Sequence, residues 1–192
     1  NRLIPELAGY TEVRPEFTYV PRYDPESQAD SVQGVSSRTD VPTGASTGVL
    51  ALDLAGSQAD TATSKKRRRA PKSRLDFLLR GEGLPPALVE VKSVSLCKDG
   101  RGLFPDAPTV RGTRHLRELI RAVSEGYRAY SVFIAQRSDI KTISPNRETD
   151  PDFADALKEA QESGVRLLGF GCTVTPEEIV FIPSGLPVVL DC

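Results

Sequence analysis

The sequence predicts an α/β fold, a mixed β-sheet flanked by helices and carrying one long disordered insertion. Three observations predict it. Short runs rich in β-branched and aromatic residues recur along the chain, with two helical patterns between the later ones. A strand–helix–strand passage over residues 88–137 implies a parallel pair, because the chain must cross back over the sheet. Residues 24–72 are dominated by Ser, Thr, Gly, Ala, Asp and Gln. Such a composition cannot bury enough apolar surface to offset the entropy lost on ordering.

Composition sets further bounds. The chain has 192 residues, enough for one domain of ordinary size, and 39% of them are hydrophobic. Net charge is −1 and the pI is about 6.0, which excludes a generally basic coat for nucleic acid. No apolar stretch approaches a transmembrane helix, and no secretory signal is visible. The three cysteines, Cys97, Cys172 and Cys192, form no CxxC pair. They read as reduced thiols of an intracellular protein rather than a zinc site. The first residue is Asn rather than Met, as expected of a fragment or a processed product.

Each element follows from local pattern. Pro5 and Gly9 limit residues 3–10 to a loop or a single turn. Thr11–Val20 alternates like a strand, and Pro15 confines it to a sheet edge or a bulge. The insertion ends in Lys65-Lys66-Arg67-Arg68-Arg69, a cluster that suits a nuclear import receptor or nucleic acid, or merely keeps a loop solvated. Residues 24–72 hold seven of the 25 Lys and Arg and six of the 26 Asp and Glu. The remainder has 18 and 20, a net charge of −2, so the concentrated positive charge lies on the insertion. Ser73–Leu79 and Leu88–Val94 are strands, and Gly81–Pro86 between them signals a hairpin. Gly100, Gly102, Pro105 and Pro108 make residues 97–108 a loop. Residues 109–126 are a helix, with Leu116, Leu119, Ile120 and Val123 at helical spacing. Ala129–Arg137 is an apolar strand, and Ser144-Pro145-Asn146 a turn. Residues 151–163 form a second helix that Gly164 stops. Val165–Phe170, Glu178–Ile182 and Val188–Leu190 are later strands.

The chemistry concentrates on Glu90-Val91-Lys92. Side chains alternate along a strand, so Glu90 and Lys92 share a face of an otherwise apolar segment. Charges in such a place are costly unless paired or bound to a metal. Asp76 sits in the apolar run of the preceding strand, and a hairpin brings it beside Glu90. Asp76 and Glu90 as Mg²⁺ ligands, with Lys92 as the catalytic lysine, supply what phosphodiester hydrolysis needs, and the Val91 carbonyl could complete the coordination. Glu16 is a candidate accessory carboxylate, with a solvated edge-strand charge as the alternative. Asp139-Ile140-Lys141 is a rival match, but it follows a strand end, where charges need no special reason. Arg111, Arg114, His115, Arg117 and Arg121 crowd the first helix, and Arg114, Arg117 and Arg121 share one face. That stripe is the candidate DNA-binding surface.

Linked motifs sharpen this. Ser73–Leu79, Val89–Leu96, Phe104-Pro105-Asp106-Ala107, Arg111–Leu119, Glu125–Ala129, Ser144-Pro145-Asn146 and Asp150–Ala154 occur in an order that resembles the sugar fermentation stimulation protein (SfsA) family. The resemblance covers most of residues 3–23 and nearly all of 73–192. It implies a PD-(D/E)xK nuclease-like domain with a restriction-endonuclease-like core, in proteins described as DNA-binding and linked to sugar utilisation. On that mapping Asp76 and Glu90 are metal ligands and Lys92 the catalytic lysine. The resemblance also implies an OB-like domain and a helix ahead of this region, for which the sequence offers no counterpart. The alternative function is a DNA-binding or regulatory module of weak or no catalytic turnover. A third expectation is an interaction protein that recruits partners through its insertion.

Overall fold

The structure is a computed structural model that describes residues 4–20 and 73–190. The expected insertion over residues 24–72, with its basic cluster, lies outside the described residues. After a single 3-10 turn at Pro5–Leu7 the strands are β1 (Glu12–Tyr19), β2 (Ser73–Arg80), β3 (Ala87–Val94), β4 (Leu96–Lys98) and β5 (Arg101–Phe104). Helix α1 (Val110–Ser124) leads to β6 (Arg128–Ala135) and β7 (Thr142–Pro145). Helix α2 (Pro151–Glu162) leads to β8 (Arg166–Val174) and β9 (Ile179–Leu186).

Six strands make the main sheet, in the order β1-β2-β3-β6-β8-β9. β1, β2 and β3 are successively antiparallel, β6 is parallel to β3, β8 is parallel to β6, and β9 is antiparallel to β8. The crossover through α1 therefore gives the parallel pair that the sequence implies. Pro15 falls on the edge strand, where its missing N–H does no harm.

Three expectations needed correction. Val188–Leu190 is not a strand, since Val188 forms an isolated parallel bridge to Ile143 and the residues around it are irregular. Residues 97–108 are not simply a loop, since β4 and β5 form a short hairpin there, and β5 pairs in parallel with β7 to make a second sheet. The turn expected at Ser144-Pro145-Asn146 is largely the end of β7. Runs of three or four residues containing Gly and Pro carry too little pattern to announce a strand.

Both helices pack on one face of the main sheet. Leu116 and Leu119 of α1 and Phe153 and Leu157 of α2 join Leu78, Leu88, Val94 and Phe133 in one core. On the opposite face Leu79, Val89, Tyr130, Val132 and Phe170 are covered by Tyr10, with Ile4 and Leu7 beside it. Among the described residues, no helix is long and apolar enough to cross a membrane.

One side chain fixes the start of both helices. Asp150 caps α2 by accepting from the Phe153 N–H at 2.9 Å, and its other oxygen accepts from the Thr109 N–H at 2.7 Å. Thr109 in turn caps α1, its hydroxyl accepting from the Gly112 N–H at 3.0 Å. A Cβ at Gly112 would stand 2.8 Å from the Thr109 side chain and 3.2 Å from Phe153, so only glycine lets the two helix starts approach this closely. Replacing Asp150 with Ala is expected to cost about 2 kcal/mol in urea denaturation, because it removes a cap and strands a buried N–H. Asp150→Asn, which keeps one acceptor, is expected to cost less.

Candidate active site

The site is built where β3 passes beneath α1. Leu88 and Val94 face the helices and lie in the core. Glu90 and Lys92 lie between them in the same alternation, so their side chains also enter the space under α1. Glu90 is only 3% exposed. Its Oε1 accepts from the Lys92 ammonium at 2.6 Å and contacts His115 Nδ1 at 2.5 Å. Its Oε2 is buried and has no hydrogen-bond partner. Burial is the largest influence on this carboxyl and pushes its pKa up. The His115 hydrogen bond and the Lys92 charge and hydrogen bond together outweigh it, and the pKa ends below the ordinary carboxylate value. Glu90 is thus ionised near neutrality and can only accept. The Nδ1 of His115 must therefore be the donor.

Asp76 reaches the site through a break in the sheet. β2 and β3 pair only from Phe77↔Val89 to Leu79↔Ala87. Beyond that point the Val91 N–H donates instead to Asp76 Oδ2 at 2.7 Å. β2 also turns over here: Leu75 packs on the helix face, whereas Phe77 and Leu79 pack on the other. Glu16, beside Asp76 in β1, has a φ of 51°, the left-handed region that non-glycine residues rarely enter. An open cleft of about 280 Å³ follows, lined by Glu16, Arg74, Leu75, Asp76 and Arg111.

The structure pairs Lys92 with Glu90, ties Asp76 to the Val91 N–H that lies between them in the chain, and places Glu16 and Arg111 with Asp76 at the adjoining cleft. Glu16 pairs there with Arg74 at 2.5 Å. Arg114 and Arg117 are exposed on α1, and Arg121 is half-buried. His115 is placed otherwise than expected. It is 1% exposed and held by Glu90, so it cannot join the arginines on a DNA-binding surface. The signal was present, since His115 shares the apolar stripe of Leu119 and Ala122, four and seven residues on. Two further buried groups escaped sequence reasoning. Ser131 is the register partner of Glu90 on β6. Glu118 lies one helical turn beyond His115. The rival Asp139 is a surface residue whose bond to Arg137, 2.8 Å long, holds its pKa near 2. Among the described residues no group of three His, Cys, Asp or Glu side chains converges as a metal cluster.

The chain is similar to known proteins. The model of the sugar fermentation stimulation protein RE domain matches residues 46–178, more than half of the chain. The chain belongs to the SfsA family. A Moorella thermoacetica homologue is 53% identical over 114 residues, which cover 59% of this chain and 49% of the homologue. A Shewanella loihica homologue is 42% identical over 112 residues, covering 58% and 48%. The solved structure of Pyrococcus furiosus SfsA in complex with Ca²⁺ is 36% identical, with a TM-score of 0.59 over 63% of this chain and 52% of that one. The chain spans about half the length of these relatives.

Within this SfsA domain the buried charge of Glu118 gives a pH test. Glu118 is 2% exposed, its Oε2 has no partner, and burial raises its pKa against the pull of the Ser73 hydroxyl and of His115, Arg114 and Arg121. A carboxyl with a raised folded pKa binds more protons folded than unfolded, so stability falls as pH rises from 4.5 through that pKa. Glu118→Gln is expected to be more stable than the parent at pH 8. The gap in melting temperature should close as pH falls to 4.5 and below.

Proposed function

We propose that this SfsA domain is a Mg²⁺-dependent DNA phosphodiesterase built on Asp76, Glu90 and Lys92. The observation that supports it best is the buried, unpartnered Oε2 of Glu90. A buried carboxylate oxygen without a donor is expensive, and a cation would satisfy it. Asp76 supplies a second carboxylate from the neighbouring strand. Mg²⁺ characteristically takes one or two carboxylates and completes its shell with water and phosphate oxygens, so this sparse donor set fits it. The Ca²⁺ of the Pyrococcus furiosus relative is also a hard, oxygen-seeking ion.

The chemistry such an ion supplies when bound is charge neutralisation at the scissile phosphate and a lowered water pKa. The chain's own residues do the rest. Asp76 and Glu90 hold the ion. Lys92, held by Glu90, keeps an ammonium where negative charge develops and orients the attacking water. Arg111 at the cleft and Arg114 and Arg117 on α1 hold the phosphate backbone. The net charge of −2 outside residues 24–72 makes this grip weak and strongly salt-dependent.

Supercoiled DNA is expected to be nicked in Mg²⁺ and spared in chelator. Asp76→Ala and Lys92→Ala are each expected to lower the rate by about 10²-fold or more. A Lys92→Ala protein that cleaves as fast as the parent would overturn the assignment.

A second reading, a DNA-binding module with little turnover, is favoured by the exposed Arg114 and Arg117 on α1. It predicts binding without cleavage. Under either reading, Arg114→Ala and Arg117→Ala should each flatten the slope of log affinity against log salt by about one.

A further inference from the structure

Two donors converge on one oxygen of Glu90. Lys92 comes from the same strand, two residues on, and reaches Oε1 with a flexible side chain. His115 comes from α1, across the gap between helix and sheet, and reaches the same atom. The ring is 1% exposed, so it has no freedom to swing to solvent. Its helix is anchored at the start by the Thr109–Asp150 pair. An ammonium tether alone would leave the carboxylate free to rotate, whereas a planar ring fixed in a packed helix sets both its position and its plane. With Oε1 doubly occupied, Oε2 is the atom left without a partner.

We propose that His115 is the positioning residue of the cation site: its Nδ1–H fixes Glu90 through Oε1 and thereby reserves Oε2 for a divalent ion. This rests on the cation site proposed above and assigns the chain's only histidine a part in it. His115 does not touch the ion. It acts through Glu90, as the hydrogen-bond partners of metal-ligating carboxylates do, and loss of such partners typically weakens metal affinity 10–100-fold.

The test is Mn²⁺ binding, read from the loss of the free-ion EPR signal, with no nucleic acid present and a melting curve for each protein. His115→Phe keeps the ring and removes the donor. His115→Asn restores an N–H near the place of Nδ1, whereas His115→Gln extends its amide toward the place of Nε2. The expected result is affinity close to the parent's for His115→Asn and about 10–100-fold weaker binding for His115→Phe and His115→Gln. A purely structural histidine would not separate Asn from Gln, so that pair decides even if His115→Phe does not fold. Parent-like binding by His115→Gln or a folded His115→Phe would overturn this inference and leave the cation site standing. A parent that binds no Mn²⁺, or binds it equally well as Asp76→Ala, would overturn both.

Discussion

Glu90 is the constraint around which the domain is arranged. An ionised carboxylate under a helix is unfavourable unless it is paired and hydrogen-bonded, and removing one partner of such a pair is more damaging than never having had it. Its two partners need a strand flanked on both sides and a helix packed across its face. The sheet order meets the first need by placing β3 between β2 and β6. The α1 crossover meets the second by setting His115 above it. The arrangement still leaves Oε2, His115 Nε2 and the nearby Ser131 hydroxyl buried and unsatisfied. Groups of this kind in an otherwise well-packed core mark places where something other than stability has shaped the sequence.

The other half of the site comes from a local failure of the sheet. If β2 had kept its ladder to β3, the Val91 N–H would bond a backbone carbonyl, and Asp76 would have no reason to turn toward it. Instead the pairing stops at Phe77↔Val89, and a side-chain carboxylate takes the strand's place. The turn-over between Leu75 and Phe77, and the left-handed backbone at Glu16, belong to the same distortion of the β1–β2 ribbon. Its left-handed residue falls on the edge strand β1, where neighbours impose least, and beside it lies the cleft shared by Asp76 and Arg111.

What could be read from the sequence divides along these lines. Period-two alternation placed Glu90 and Lys92 on one face, and the 2.6 Å contact between them follows from that periodicity. Pro15 marked an edge, and Gly164, with a φ of 95°, stops α2 as expected. The short second sheet and the register that sets Ser131 beside Glu90 were not legible, because they depend on where distant segments dock. His115 shows the difference most clearly. Its place on an apolar stripe predicts burial, yet nothing local says that the stripe descends onto a carboxylate. Proximity to four arginines in the chain suggested the surface instead, although residues adjacent in a helix point about 100° apart.

That angular difference also explains how α1 can serve two ends. Its buried side carries His115 and Glu118, and its exposed side carries Arg114 and Arg117. A phosphate backbone held by the arginines would press on a helix whose start is bound by Thr109 and Asp150 and whose underside grips Glu90. Any shift of the helix that strengthens the arginine contacts must move His115 relative to β3 by a comparable amount. Coupling between two sites is reciprocal in binding free energy, so under the proposed function an ion held by Glu90 and nucleic acid held by Arg114 and Arg117 would each favour binding of the other. The element joining the two is short, 15 residues, and beside the packing of Leu116 and Leu119 the imidazole hydrogen bond ties it to Glu90.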